Sequence, residues 1–243
     1  TARDINAIGH GYTFNHDYIL TEIISTSIGL GYSDTDAIVD SGNDYETYDF
    51  SLGINLAFPW AYIAITNGMS FTGVAMTAQA EPRDMLPVQP AIALASPGDV
   101  LVISTAGYDG AAIIGDNVAV MAKNKGLAAV VTDGLVRDVE GILDADIPVF
   151  CAGVSPNSPY SRGPGSIGLP VALGDSVIHP GDLLVGDRDG VVVIARNQAG
   201  TVIDKLVELR NMEAALEAKV KSGLTHMPWV DDYLSSDKVR YVE

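Results

Sequence analysis

Three charged residues carry the strongest chemical signal in the chain. Arg137 and Asp138 are adjacent, and twenty residues (117–136) separate Asp116 from the pair. Two carboxylates suit a hard cation such as Mg²⁺ or Mn²⁺, which keeps several waters when only one or two protein carboxylates hold it. A guanidinium is a permanent cation with a planar donor fork, matched to a carboxylate or to a developing enolate oxygen. Asp116 also stands where a helix N-cap belongs, ahead of Asn117-Val-Ala-Val-Met-Ala-Lys-Asn-Lys125. The free amides of Asn117 and Val118 would then form an anion seat. Cation site, arginine and helix N-terminus around one point describe a pocket for a small 2-oxo acid. Each piece alone has a plainer role, Asp116 as a cap and Arg137-Asp138 as a surface pair. Asp133-Gly134 reads as a turn only.

Convergence of these groups requires particular elements. Val100–Thr105 reads as a buried strand, followed by the glycine-rich loop 106–115 and a helix that Gly126 ends. Leu127–Thr132 is a second apolar strand and Ile147–Ala152 a third. Strand–helix–strand implies a parallel pair with a right-handed crossover. Asp116 and Arg137-Asp138 would leave the same end of adjacent parallel strands, the edge where open α/β sheets bind ligands. Phe71–Gln79 and Gly190–Ile194 also read as strands, and 34–40 as a short helix. An echo, Pro97-Gly-Asp-Val-Leu-Val and Pro180-Gly-Asp-Leu-Leu-Val, marks two turns that each deliver the chain into a strand. From Asn197, helical spacing of Val202, Ile203, Leu206, Leu209, Met212, Leu216 and Val220 predicts a long helix stopped by Gly223. The expectation is one α/β domain over 1–243 with a partly parallel sheet core and a long C-terminal helix. Residues 1–30 form an N-terminal extension, and 224–243 a tail packed on itself or on a neighbouring subunit.

Bulk properties narrow the function. The 243 residues carry 31 acids against 14 bases, a net charge of −17. Such a surface repels nucleic acid, which needs clustered Lys and Arg. It also repels anionic metabolites, so a site for carboxylates needs a local cation. Residues 1–20 lack a signal-peptide pattern, and no window of about eighteen apolar residues suggests a membrane span. The single cysteine, Cys151, lies in an apolar run and gives no disulfide framework, which fits a cytoplasmic location. Gly163-Pro-Gly-Ser-Ile-Gly168 matches GxGxxG formally but lacks the strand–turn–helix setting, so it reads as a loop. No glycine-rich turn suited to S-adenosylmethionine appears. Lys123 and Lys125 lie on a polar helix face and read as solvated charges rather than Schiff-base lysines. His10, His16, His179 and His226 show no metal-ligand spacing.

The stretch Gly115-Asp116 … Gly126-Leu-Ala-Ala-Val-Val-Thr-Asp-Gly-Leu-Val-Arg-Asp138, with the two Pro-Gly-Asp segments and Asp189-Gly-Val-Val-Val-Ile194, resembles the RraA-like family. Within it, the pattern is most similar to the 4-hydroxy-4-methyl-2-oxoglutarate and 4-carboxy-4-hydroxy-2-oxoadipate aldolases. The resemblance covers residues 90–223 well and the N-terminal third loosely. It implies a swivelling β/β/α-type domain. It also implies Asp138 as direct ligand of Mg²⁺ or Mn²⁺ and Asp116 as holder of water on the metal. Arg137 would steady the 2-oxo oxygen, and the amides of Asn117 and Val118 would take the pyruvyl carboxylate. A glutamate from a neighbouring subunit's C-terminal helix completes such sites. Glu213 matches it, with Glu217 as fallback, so the active unit would be a trimer or hexamer.

The implied activity is a metal-dependent aldolase that cleaves a 4-hydroxy-2-oxo dicarboxylate to pyruvate and a second 2-oxo acid. Oxaloacetate decarboxylation should accompany it. The alternative is a regulator of ribonuclease E acting by protein contact; such members tend to lack the aspartate of the Arg-Asp pair. Trp60, Arg83 and Arg162 are candidates for the distal half of the substrate pocket.

Overall fold

The computed structural model describes residues 54–56, 63–68, 70–236 and 239. The expected helix at 34–40, the extension over 1–30 and Trp60 lie outside the described residues. The chain divides into two compact units, residues 1–203 and 204–243.

The first unit is built on a sheet whose central strands are parallel and buried on both faces. Strands β3 (Phe71–Ala80), β4 (Asp99–Ser104), β6 (Ala129–Thr132) and β8 (Val149–Cys151) pair in that order, all parallel. Double burial explains why β4 reads as an unbroken apolar run instead of an alternating one. Its side chains still alternate. Leu101 and Ile103 join one core cluster, Val100 and Val102 the other.

Helices cover the first cluster. Helix α1 (Val88–Leu94), α2 (Asp116–Lys125) and α3 (Val139–Asp144) contribute Val88, Val118 and Ile142 among others. On the opposite face lies the antiparallel pair β11 (Val171–Leu173) and β12 (Ser176–Ile178). There Phe71 meets the fully buried Phe150 edge to face, with ring centroids 5.4 Å apart. Burying a side chain of that size stabilises by about 1.5–3 kcal/mol.

Antiparallel strands extend both edges. Along one edge of β3, its first half pairs with β13 (Leu183–Asp187) and its last residues with β10 (Gly165–Ile167). Strand β14 (Gly190–Ile194) follows β13, and β1 (Ile54–Leu56) follows β14. At the other end β2 (Ile63–Ile65) pairs with β8. The GxGxxG segment is therefore partly a strand, because Gly165–Ile167 completes the β3 edge that β13 leaves open.

The sequence echo is a structural one. Gly98 and Gly181 adopt φ of 90° and 91°. In each copy the aspartate carboxylate accepts the amide three residues back, Asp99 from Ser96 at 2.7 Å and Asp182 from His179 at 2.8 Å. The strands so launched, β4 and β13, flank β3 on its two sides.

A small second sheet does not show in the sequence pattern. The glycine-rich loop contains a strand, β5 (Ala112–Ile114), which pairs in parallel with β7 (Leu135–Val136). Strand β7 pairs in parallel with β9 (Gly153–Val154), and the three form a separate small sheet.

The long C-terminal helix α4 (Ala199–Lys221) follows a 3₁₀ turn at Arg196–Gln198. Gly223, with φ of 108°, lies just beyond its end, as its spacing predicted. Of the predicted apolar stripe, Val202 and Leu206 are buried, whereas Ile203, Met212 and Val220 are exposed. The second unit also holds the short helix α5 (Trp229–Leu234). No helix among the described residues is long and apolar enough to cross a membrane.

Candidate active site

The small parallel sheet positions the chemistry. Because β5, β7 and β9 run in one direction, their C-terminal ends share an edge. Asp116 follows β5, Arg137-Asp138 follows β7, and Ser158 lies beyond β9. The expected edge-of-sheet placement is thus realised on this second sheet and not on the main one. Hydrogen bonds stitch the three exits together. The Arg137 amide donates to Ile114 O at 3.1 Å, and the Ser155 amide to Val136 O at 2.9 Å.

Helix α2 starts one residue earlier than its sequence suggests. Gly115 is the cap, and Asp116 is the first helical residue. Residue 115 is held to glycine on steric grounds: a Cβ there would lie 2.5 Å from Asp138 Oδ2 and 3.1 Å from Arg137 Cγ. Asp116 still complements the helix dipole. Its Oδ1 accepts the Asn117 amide at 2.6 Å, while the Val118 amide donates to Gly115 O at 3.2 Å. Both amides of the expected anion seat therefore have local partners, and an incoming carboxylate would have to displace the Asp116 oxygen from Asn117.

Asp138 sits in the left-handed region at φ 58°, ψ 48° and caps α3 without a side-chain hydrogen bond. Such a backbone costs a non-glycine residue about 1–3 kcal/mol and persists only where its surroundings impose it. Its carboxylate faces Gly115 and pairs with Arg137, Nε to Oδ2 at 3.1 Å. Arg137 Nη1 donates a short hydrogen bond to Ser158 Oγ. Two of the three guanidinium nitrogens are held by these bonds, which fixes the plane of the fork.

Beside this set opens a cleft of about 230 Å³. Asp116, Asn117, Val118, Arg137 and Ser158 contribute to its wall, with Met85 and Met121 among the apolar residues. Asp138 is not in the wall itself but packs against Gly115, which is. Among the described residues no three His, Cys, Asp or Glu side chains form a metal-holding group. The anionic donors the site does offer are the two carboxylates Asp116 and Asp138, a number with which a hard cation would keep several of its waters. Two glycines clear room for the carboxylates, since a Cβ on Gly141 would stand 3.0 Å from Asp116 Oδ2. The donor set thus suits Mg²⁺ or Mn²⁺.

Sequence reasoning missed the second layer of this site. Asp133 is more than a turn residue: its carboxylate accepts the Thr105 amide at 2.6 Å and the Gly107 amide at 3.0 Å, pinning the loop that leads to β5. Asp84, buried at 6% exposure, accepts the Leu86, Arg162 and Gly163 amides at 2.8–2.9 Å and so ties the loop after β9 to the segment before α1. Burial pushes its carboxyl pKa up, but the three amides and nearby Arg162 outweigh that and hold it below the usual value of 3.8. A lowered folded pKa means the stabilisation is present above the unfolded pKa and disappears as pH falls through the folded one, hence below about pH 4. Asp84→Asn is expected to cost about 1.5–3 kcal/mol at pH 7, the scale of lost charged hydrogen bonds. Urea melts of both proteins check it, and the gap should narrow on going to pH 3.

Other candidates sort readily. Lys123 Nζ donates to Asp146 O and Lys125 Nζ to Ala93 O, both on exposed surface, as expected of solvated charges. Cys151 is fully buried, and burial pushes its thiol up to about 11. On α4, Glu213 is half-buried, while Glu217 forms an ion pair with Lys221. Arg83 and Arg162 both stack on Tyr160.

Comparison with known proteins agrees with this architecture. The chain is 39% identical over 152 residues to a protein of Halalkalibacterium halodurans provisionally named 4-hydroxy-4-methyl-2-oxoglutarate aldolase; the match covers 63% of this chain and 72% of that protein. An Arabidopsis thaliana protein of the same provisional name is 36% identical over 96 residues, 40% of this chain and 58% of the relative. Among solved structures, the RNA-processing inhibitor RraA of Thermus thermophilus superposes with TM-score 0.55 at 25% identity, over 60% of this chain and 88% of that one. A structure described as an S-adenosylmethionine:2-dimethylmenaquinone methyltransferase of Geobacillus kaustophilus gives TM-score 0.56 at 28% identity, over 59% and 88%. Residues 35–193 match the family described as Aldolase/RraA, and the chain belongs to the RraA-like family.

Proposed function

We propose that this protein is a divalent-metal-dependent aldolase acting on a 4-hydroxy-2-oxo dicarboxylate, with accompanying oxaloacetate decarboxylase activity. The observation that carries the reading is the convergence of Asp116, Arg137 and Asp138 at one end of β5 and β7, beside a cleft of substrate size. The aldolase names borne by the relatives support the same class of reaction. Asp138, with Asp116 at one remove, would hold Mg²⁺ or Mn²⁺. When bound, such a cation supplies electrophilic stabilisation of the negative charge that develops on the 2-oxo oxygen.

The chain's own groups account for the remaining steps. The Arg137 fork, fixed by Asp138 and Ser158, donates to the 2-oxo oxygen as it becomes an enolate oxygen. The start of α2, at Asn117 and Val118, receives the pyruvyl carboxylate. Asp116, through a water, accepts the 4-hydroxyl proton; the C3–C4 bond then breaks, its electron pair enters the enolate, and C4 leaves as a carbonyl. Protonation of the enolate gives pyruvate. Oxaloacetate reaches the same enolate by losing CO₂. Glu213 of a neighbouring copy is assigned as the second group on the 4-hydroxyl side, so the active unit is a homo-oligomer, a trimer or hexamer.

The test is pyruvate release from oxaloacetate by purified protein, before and after EDTA and again with Mg²⁺ restored. Activity should vanish with EDTA and return with the metal. Well-folded protein inactive with both Mg²⁺ and Mn²⁺ would sink the reading. It would favour instead an inhibitor role like that named for the Thermus thermophilus structure. Activity indifferent to EDTA would redirect attention to a lysine.

A further inference from the structure

Three of the chain's few cationic side chains gather around one loop. Arg137 Nη1 donates to Ser158 Oγ, and Arg83 Nε donates to Ser158 O at 3.3 Å, so two guanidiniums are bonded to two oxygens of one residue. Two residues on, Tyr160 carries Arg83 and Arg162 over its ring, at 4.5 and 4.6 Å from the centroid. The backbone braces this cluster from both sides. Tyr160 N donates to Arg83 O at 2.7 Å, Met85 N donates to Tyr160 O at 2.8 Å, and Asp84 holds the Arg162 amide. Met85 and Pro159, neighbours of the stack in sequence, line the cleft together with Arg137 and Ser158.

The arrangement is more than a tyrosine needs. One guanidinium covers a ring face, and like charges brought onto one ring repel. Among the described residues neither Arg83 nor Arg162 has a carboxylate within ion-pair distance, and only the buried Asp84, whose oxygens are taken up by three backbone amides, feels the Arg162 charge. Arg83 also holds a left-handed backbone, φ 63°, where glycine would rest without strain. A pre-set pair of donor forks beside a 2-oxo acid site has an evident complement, which is a second carboxylate.

We infer that Arg83 and Arg162, set on Tyr160, form the distal anion site of this cleft and select substrates that carry a carboxylate at the end remote from the 2-oxo acid. The inference rests on the reading of Arg137 as the 2-oxo acid end. It makes the two arginines specificity residues, while Arg137 belongs to the reaction itself.

Two ligands of equal chain length isolate the effect: 2-oxoglutarate, with a distal carboxylate, and 2-oxopentanoate, with a methyl group in its place. Calorimetric titration of the full chain with Mg²⁺ present should show 2-oxoglutarate binding about tenfold or more tighter, the scale of one charged hydrogen bond. Arg162→Gln and Arg83→Gly should each abolish most of that preference and leave 2-oxopentanoate affinity unchanged. Arg83→Gly suits the φ of 63°, so its melting temperature should not fall, which separates lost binding from lost fold. Wild-type protein that binds both ligands equally, or variants that weaken both alike, would overturn the distal site and leave the 2-oxo acid reading standing. Wild-type protein that binds neither ligand would overturn both.

Discussion

Arg137→Ala is expected to lower kcat for pyruvate release from oxaloacetate by 10²–10³-fold. The figure is the usual cost of removing one donor aimed at a developing oxyanion, about 2.7–4 kcal/mol. The fold should not depend on this side chain. Arg137 and Asp138 are 36% and 44% exposed, and ion pairs that open to water contribute about 0–1 kcal/mol. A melting temperature within a few degrees of wild type is therefore the expected companion result. Arg137→Lys should fall nearly as far. Lysine keeps the charge but cannot reproduce a planar fork held at Nε by Asp138 and at Nη1 by Ser158. Binding of Mn²⁺, followed calorimetrically, should survive both changes. Alanine even removes a cation that lies 3.1 Å from the Asp138 carboxylate, which should favour the metal. Loss of turnover with metal binding intact is the signature of a group acting on the substrate. An Arg137→Ala enzyme within threefold of wild type would remove Arg137 from the chemistry.

How much of this site the sequence could disclose depended on whether a residue acts through its own type or through what surrounds it. Asp116, Arg137 and Asp138 announce themselves, because carboxylate and guanidinium chemistry is intrinsic and their spacing spans one helix and two strands. The parallel core was legible for a similar reason: β4, β6 and β8 are short apolar runs bounded by turns, and double burial leaves that mark on composition. Strand β5 was hidden inside a glycine-rich segment, where three residues are too few to show a period. Ser158 and Asp84 left no signal, since their roles arise from loops that meet only in three dimensions. The cap at Gly115 was misplaced by one residue because aspartate is the better cap by preference. Nor does cap preference reveal that residue 115 is kept as glycine by its contact with Asp138, distant in sequence.

That same contact gives the most economical test of where Asp138 must stand. Gly115→Ala adds one carbon, and its backbone, φ −141° and ψ −165°, is one that alanine adopts freely. No conformational penalty is introduced, so the effect is confined to the new Cβ. That atom would meet Asp138 Oδ2 at 2.5 Å, Arg137 Cγ at 3.1 Å and Arg137 Nε at 3.2 Å. Something must yield, and the exposed carboxylate and guanidinium yield more easily than the buried strand β5 behind them. Displacement of a reacting group by about 1 Å costs on the order of 10²-fold in rate. The expected result is a kcat reduced about 10²-fold, a weakened Mn²⁺ affinity and a melting temperature close to wild type. Both readouts matter, because they separate this variant from Arg137→Ala, in which metal binding survives. An Asp138→Asn enzyme should resemble Gly115→Ala in losing metal affinity, although it adds no bulk. Should Gly115→Ala retain both turnover and Mn²⁺ affinity within twofold, the Asp138 carboxylate could not be the group whose position the reaction requires. The glycine would then be there only to let α2 begin.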